Sequence, residues 1–274
     1  MPAAPKISVI TPCYNHGKYI GEMLESLVQQ TFQAFEVIIV NDGSTDDTRE
    51  ILDRLDHPNI RVIHTENFGP AHARNLAIEN ATAPVIMNLD ADDRIAPTLL
   101  EKAFDVFQSD PAVGIVYCDA LFFGARSGKF EIEEYTKENM LFDNRIISQS
   151  FFHKSDWELA GGYSDELLYG AEDWDFWLSV LELGRRVIKI PEPLVYYRTY
   201  TNPEQSRSGR RKNDRIRMRT TQLQIYHRHE KLYRSSPAAW EYFTRLEKKA
   251  NSETLIERKV KDYWYKQIRR IRAR

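Results

Sequence analysis

Four short apolar runs alternate with three amphipathic stretches over the first third of the chain, and that alternation leaves few folds open. Residues 6–11 carry Ile7-Ser8-Val9-Ile10 and close at Thr11-Pro12, residues 35–40 end in Asn41-Asp42-Gly43-Ser44, and residues 60–64 and 85–89 are two further runs of strand length. Each is bounded by turn formers, as buried strands are. Between them, Ile20, Met23, Leu24, Leu27 and Val28 recur at helical spacing, followed later by Ile51, Leu52 and Leu55 and by a third stretch over residues 71–80. Thr45-Asp46-Asp47-Thr48 opens the second of these helices, with carboxylates where the helix dipole favours them. The order predicts an α/β fold, a single mainly parallel sheet flanked by helices, with the loops that follow its strands gathered on one edge.

The fourth run, Val85-Ile86-Met87-Asn88-Leu89, discharges into Asp90-Ala91-Asp92-Asp93. In open α/β sheets ligands bind beyond the carboxyl ends of strands, and carboxylates this crowded repel each other unless a cation joins them. At a strand end Asp90 and Asp92 can converge on one Mg²⁺ or Mn²⁺, whereas the same spacing in Asp173-Trp174-Asp175, read as helix, turns its carboxylates apart. The cluster equally suits a solvated turn capping a helix that starts near Ile95-Ala96-Pro97. Thr11, Tyr14, Asn15 and Asp42 share this edge. A planar base could stack on Tyr14 while Asp42 accepts a hydrogen from its ring nitrogen, leaving phosphates near the acidic cluster. No Gly-x-Gly-x-x-Gly or Gly-Lys-Ser/Thr loop is present to cradle them, so a diphosphate would need a metal and a side-chain cation, for which Arg74 is available. The alternatives are that Tyr14 packs, Asp42 caps the turn at Gly43 and Arg74 is a surface charge.

The 274 residues suit one large domain or one domain with an appendage, and 42% hydrophobic and 12% aromatic residues are globular composition. Two cysteines, Cys13 and Cys118, form no disulfide framework and point to a reduced setting. Neither a secretory signal nor an apolar run of membrane-spanning length is expected, so the expected location is cytoplasmic. Charge divides the chain. Residues 205–274 hold 21 lysines and arginines against 7 acidic residues, a net +14, while residues 1–204 carry about −16. Residues 113–123 read as one or two strands, 124–135 as a hairpin-like excursion, and Trp174, Trp177, Leu178 and Leu181 as a helical core stripe with Asp173 in its first turn. From about Arg207, basic residues interleave with apolar ones in two helical stretches, the second running through Trp240, Phe243, Leu246, Leu255, Ile256, Val260, Tyr263, Trp264, Ile268 and Ile271. The expected division is a catalytic domain over residues 1–204 and a basic helical extension over residues 205–274.

Ile7-Ser8-Val9-Ile10-Thr11-Pro12-Cys13-Tyr14-Asn15, Val40-Asn41-Asp42-Gly43-Ser44-Thr45-Asp46, Ala73-Arg74-Asn75 and Asp90-Ala91-Asp92-Asp93 together resemble the family 2 inverting glycosyltransferases of the A-type fold. Gly161-Gly162-Tyr163, Glu172-Asp173-Trp174 and Tyr196-Tyr197-Arg198 extend the resemblance to about residue 200. It implies a nucleotide-sugar donor, usually a UDP-sugar, in contact with Thr11, Pro12, Tyr14, Asn15, Asp42, Arg74, Asn88, Asp90 and Ala91. It further implies a divalent cation, Mn²⁺ or Mg²⁺, on Asp92 and Asp90, and an aspartate base, Asp173, with Glu172 beside it. Inverting transfer needs one base to take the acceptor's proton. The other reading of Glu172 and Asp173 is that they only complement a helix dipole. One position departs from the pattern: two residues beyond the arginine, family members often carry a histidine that helps hold metal or diphosphate, and here Tyr200 stands there. His16, His72 and His153 are lone histidines whose spacing supports no metal site.

The expected activity is sugar transfer with inversion to a carbohydrate or lipid-linked hydroxyl acceptor, in polysaccharide or glycoconjugate synthesis. The rivals are a metal-dependent nucleotidyltransferase, which would need a basic loop where only Lys18 stands, and a nucleotide-sugar-binding protein without turnover, which Tyr200 keeps open. Acceptor contacts are expected in residues 124–152. The basic extension, with Tyr233, Trp240, Tyr263 and Trp264, suits an anionic membrane surface at the inner face of the membrane. It suits equally a solvated face or a homo-oligomer contact, and nucleic acid is not expected as a partner.

Overall fold

In a computed structural model, which describes residues 4–131, 133–167, 170–202 and 215–251, the chain divides into two units, residues 1–221 and 222–274. The first unit contains the expected alternation. β1 (Ile7–Cys13), β2 (Phe35–Asp42), β3 (Ile60–Thr65) and β4 (Val85–Asn88) pair in parallel in the order β3-β2-β1-β4, crossed over by α1 (Gly17–Val28), α2 (Thr48–Asp53) and α3 (Pro70–Glu79). β1 lies between two neighbours, and Ile7, Val9 and Ile10 are fully buried, as the near-continuous apolar run of a central parallel strand requires.

Beyond β4 the sheet becomes mixed. β8 (Phe151–His153) joins β4 antiparallel, β6 (Val113–Gly124) pairs antiparallel with β8 and parallel with β9 (Arg186–Thr199), and β7 (Gly128–Phe130) folds back on β6 as the expected hairpin. At the hairpin corner Gly124 has φ 91°, and a Cβ there would lie 2.6 Å from the Thr199 carbonyl oxygen, so only glycine fits. The helix expected near Ile95-Ala96-Pro97 starts later. Arg94–Ile95 forms a short edge strand, β5, against β9, because the backbone here bonds outward: Ala96 N–H to Leu194 O and Thr31 N–H to Pro97 O. α4 therefore begins at Leu99 and runs to Ser109. Val28, read as part of the apolar face of α1, is 69% exposed at the helix end.

Two more helices complete this part, α5 (Lys154–Ala160) and α6 (Glu172–Glu182). Phe176, Trp177, Leu178 and Val180 of α6 are fully buried, and Phe176 meets Phe152 and Tyr163 at ring distances of 4.9 and 4.4 Å. This cluster fixes α6 against the sheet, with its first turn at the edge where the parallel strands end. The described remainder is helical: α7 (Arg215–Arg228), α8 (Glu230–Arg234) and α9 (Pro237–Asn251). Within the second unit Tyr226, Tyr233 and Phe243 pack on one another, and Arg234 lies 4.2 Å over the Trp240 ring. Tyr233 is thus core rather than interface, and Leu255, Ile256, Val260, Tyr263, Trp264, Ile268 and Ile271 lie outside the described residues. Among the described residues no helix is long and apolar enough to cross a membrane.

One carboxylate laces the sheet together. Glu36 accepts from Ser8 Oγ at 2.7 Å on the neighbouring strand, and from Thr82 N at 2.6 Å and Oγ1 at 2.7 Å just before β4. Burial pushes its carboxyl up, but these bonds outweigh burial and hold it below the ordinary glutamate value. A depressed folded pKa contributes stability that is complete above the unfolded value of about 4.3 and lost as pH falls through the folded value. Glu36→Gln is accordingly expected to lower unfolding stability by about 1 kcal/mol at pH 7 and to flatten the stability–pH curve below pH ~4.5, measured by urea titration at several pH values.

Candidate active site

The loops at the carboxyl ends of β1, β2 and β4 open onto a cavity of about 850 Å³, which the end of β9, the first turn of α6 and residues 143–149 also line. Tyr14, 44% exposed, stands at its edge with Pro12. Asn15 adopts φ 57°, a left-handed conformation that asparagine tolerates. Its side-chain oxygen accepts from Thr45 N at 2.7 Å and its own N–H donates to Ser44 Oγ at 2.9 Å, so Asn15 joins the β1 and β2 loops. Asp42 is buried and accepts from the backbone N–H groups of Phe68 and Gly69, both at 2.9 Å. It thus caps the loop that leads into α3 rather than the turn at Gly43, with its carboxylate still on the cavity wall. Thr11, Asn88 and Ala91 are fully buried and do not line the cavity.

Arg74 departs from expectation the most. It is neither a surface charge nor a free cation for a diphosphate, because its guanidinium is buried and engaged. Nε donates to Asn88 Oδ1 at 3.0 Å, Nη1 to Glu172 Oε1 at 2.8 Å, and Nη2 to Asp90 Oδ1 at 3.0 Å. Burial alone would push the guanidinium pKa down; Asp90 and Glu172 outweigh it and drive the pKa up, so the group stays charged. One side chain thus ties the end of β4 to the first turn of α6. Its neighbour Asn75 makes a second tie, accepting from Tyr163 N at 2.9 Å and Trp157 Nε1 at 3.0 Å and donating to Tyr163 O at 2.8 Å. Gly162, at φ 77°, passes so close that a Cβ would sit 2.9 Å from Asn75 Oδ1. The Ala73-Arg74-Asn75 and Gly161-Gly162-Tyr163 motifs are therefore two halves of one contact.

The acidic cluster divides into a buried tie and a wall. Asp93 accepts Arg198 N–H at 2.8 Å and a bond from Gln149 Nε2, and burial together with Asp92 and Asp90 pushes its carboxyl well above the ordinary value. Asp92 is also pushed up, first by burial and then by Asp90, against opposing contributions from His16 and Tyr200. The Tyr200 hydroxyl donates to Asp92 Oδ2, and His16 Nε2 stands 3.9 Å from the same oxygen. Asp90 is held by Arg74 and by Gln149 Nε2 at 3.2 Å. Asp90 and Asp92, concentrated on an open cavity wall, are the hard oxygen donors that Mg²⁺ and Mn²⁺ take. Among the described residues no group of three His, Cys, Asp or Glu side chains could enclose a metal ion. The donor set therefore fits a cation that shares its coordination with phosphate and water.

Asp173 lines the same cavity. Asn144 Nδ2 donates to its Oδ2 at 3.1 Å and Trp174 N–H to its Oδ1 at 2.9 Å. Successive residues at the helix start thus serve different neighbours, Glu172 the buried arginine and Asp173 the cavity. His16, Asn144, Ser148 and Gln149 belong to this site and carried no sequence signal. Their partners lie tens of residues away in the chain, and nothing in the local pattern marks them.

A mixed sheet with helices packed on it is the architecture of the A-type nucleotide-sugar transferase fold. Residues 8–157 match the family model described as glycosyl transferase family 2, and the chain belongs to that family. It is 32% identical over 188 residues to the chondroitin synthase of Escherichia coli, covering 66% of this chain but 27% of that one. The chain thus spans well under half of that relative. Staphylococcus aureus TarS 1-349, solved in complex with UDP-GlcNAc, superposes with TM-score 0.61 at 23% identity, over 84% of this chain and 73% of that one. The mannosyltransferase PcManGT from Pyrobaculum calidifontis, in complex with GDP-Man and Mn²⁺, gives TM-score 0.63 at 21% identity, over 97% of this chain and 81% of that one. Both likenesses show the fold.

Proposed function

We propose that this chain transfers a sugar, with inversion, from a UDP-sugar to a hydroxyl acceptor in the synthesis of a polysaccharide or glycoconjugate. The observation that carries the reading is that a single cavity holds the Asp90–Asp92 wall and Asp173, with Arg74 joining Asp90 to the residue preceding Asp173. The nucleotide-sugars bound by TarS and PcManGT support a nucleotide-sugar donor. In this reading Tyr14 stacks on the base and Asp42 accepts from its ring nitrogen. Asp92 and Asp90 would hold Mn²⁺ or Mg²⁺, which when bound supplies positive charge to the departing diphosphate. Asp173 takes the proton of the acceptor hydroxyl as its oxygen bonds to the anomeric carbon, the bond to the diphosphate breaks, and the electron pair leaves with UDP. Thr11, Asn88 and Ala91 act from behind the wall, and Arg74 positions carboxylates instead of touching phosphate.

The Tyr200 hydroxyl on Asp92 is the one feature that favours a second reading, a nucleotide-sugar-binding protein without turnover. The positive charge of the extension supports contact with an anionic membrane surface, to which the buried Tyr233 adds nothing.

Calorimetric titration with UDP is expected to show clearly weaker binding when the divalent ion is chelated, and Asp92→Ala is expected to abolish that difference. Equal affinity with and without chelator would remove the metal from the reading. Asp173→Asn is expected to retain UDP affinity while UDP release, from the UDP-sugar that a donor screen identifies, falls about 10²–10⁴-fold. UDP binding without turnover of any UDP-sugar in the native chain would select the second reading.

A further inference from the structure

The same cavity has a second wall that the donor reading leaves unused. Phe130 of β7 and Tyr197 of β9 line it, half-buried, with ring centroids 5.1 Å apart. They sit on strands either side of β6, where Ala120 pairs with Phe130 and Phe122 with Tyr197. Phe122 backs the Phe130 ring at 4.7 Å, nearly parallel, and Arg126 in turn lies 3.8 Å over Phe122. The rings are therefore held from behind by a stack on three paired strands, at the wall of the cavity that contains Asp173 and Asn144.

We propose that Phe130 and Tyr197 are the acceptor platform, and that the acceptor is a carbohydrate that lays the C–H face of a pyranose ring on them. The assignment rests on the transferase reading above. A rigid aromatic surface offers large apolar contact at small entropic cost and matches the alternately polar and apolar faces of a sugar ring. Charge argues against the alternative, a polyol phosphate. Among the described residues, the arginines that line the cavity already face carboxylates: Arg74 faces Asp90 and Glu172, Arg198 faces Glu22 at 2.9 Å, and Arg145 faces Glu133 at 3.1 Å and Asp143 at 3.7 Å. A phosphate on this wall would have to displace one of those partners and approach Glu131 and Asp173. With a sugar ring on the platform, the acceptor O–H proton passes to Asp173, the new oxygen–carbon bond forms at the anomeric centre, and UDP departs with the electron pair.

Saturation-transfer NMR in the presence of UDP and diamagnetic Mg²⁺, with cellobiose, N,N′-diacetylchitobiose and glycerol 3-phosphate as probes, tests the platform. Transfer to the ring C–H protons of both disaccharides is expected, with none to glycerol 3-phosphate. Phe130→Leu and Tyr197→Leu, which keep apolar packing but remove the ring face, are expected to weaken disaccharide binding roughly five- to tenfold, and Phe130→Trp to restore it. Transfer to glycerol 3-phosphate alone, absence of transfer to either disaccharide, or unchanged disaccharide affinity in both leucine variants would overturn the proposal. UDP titration of the native chain separates the two levels. If UDP itself fails to bind, the donor reading falls; if UDP binds and the disaccharide results fail, the platform alone falls.

Discussion

A charged guanidinium buried between Asp90 and Glu172 is the interaction on which the rest of the site depends. Removing the Arg74 and Glu172 charges from water is expensive, and the attraction within the triad offsets the cost only where the geometry is good and the remaining polar atoms are bonded. Asn88 and Ser148 supply those bonds, which in turn fixes the end of β4 and the loop before β8. Such a network leaves little freedom of arrangement. If α3, β4 or α6 shifts, a buried charge loses its partner. The acidic wall and the first turn of α6 are therefore tied directly through Arg74, which adds to the aromatic packing of α6 and to the Asn75–Tyr163 bonds.

The carboxylates at the end of β4 show a division of labour that identical chemistry conceals. Asp93 is turned inward and spent on Gln149 and the Arg198 amide, which anchors β9 to the acidic turn. Asp92 faces the cavity, and its pKa is raised first by burial and then by Asp90, with the neighbouring His16 and the Tyr200 hydroxyl opposing the rise. Stability and function compete at this turn. Close-packed carboxylates weaken the fold, and a bound cation would relieve that repulsion.

The parallel half of the fold was legible because it follows from two periods, strand and helix, read over short windows: residues 7–10, 35–40 and 85–88 became strands where the apolar runs stand. The other half was not, because β9 contains Pro191 and Pro193 and finds its partner some seventy residues earlier, with register shifts around Asp119. The start of α4 was misplaced for a similar reason, since the backbone near Ala96 is claimed by β9 and by Gln30 and Thr31, which no local rule anticipates. In the site, the residues at strand ends were found because topology alone gathers them. What they do there was less visible. Asp42, Asn15 and Arg74 were expected to offer their polar atoms to a ligand, and each spends bonds on the protein, with partners set by tertiary contacts. His16 has no neighbour in sequence that marks it, while its partner in space, Asp92, lies 76 positions away.

The account stands or falls on the coupling through Arg74. A double-mutant cycle of Arg74→Met and Glu172→Leu, followed by urea unfolding, measures it directly. Each single substitution is expected to cost about 3–5 kcal/mol, and the double substitution to cost less than their sum by more than ~1 kcal/mol, because the second change removes the charge that the first left unpaired. Additive losses would mean that the guanidinium and the carboxylate of α6 do not act together, and the link between the acidic wall and Asp173 would have to be sought elsewhere.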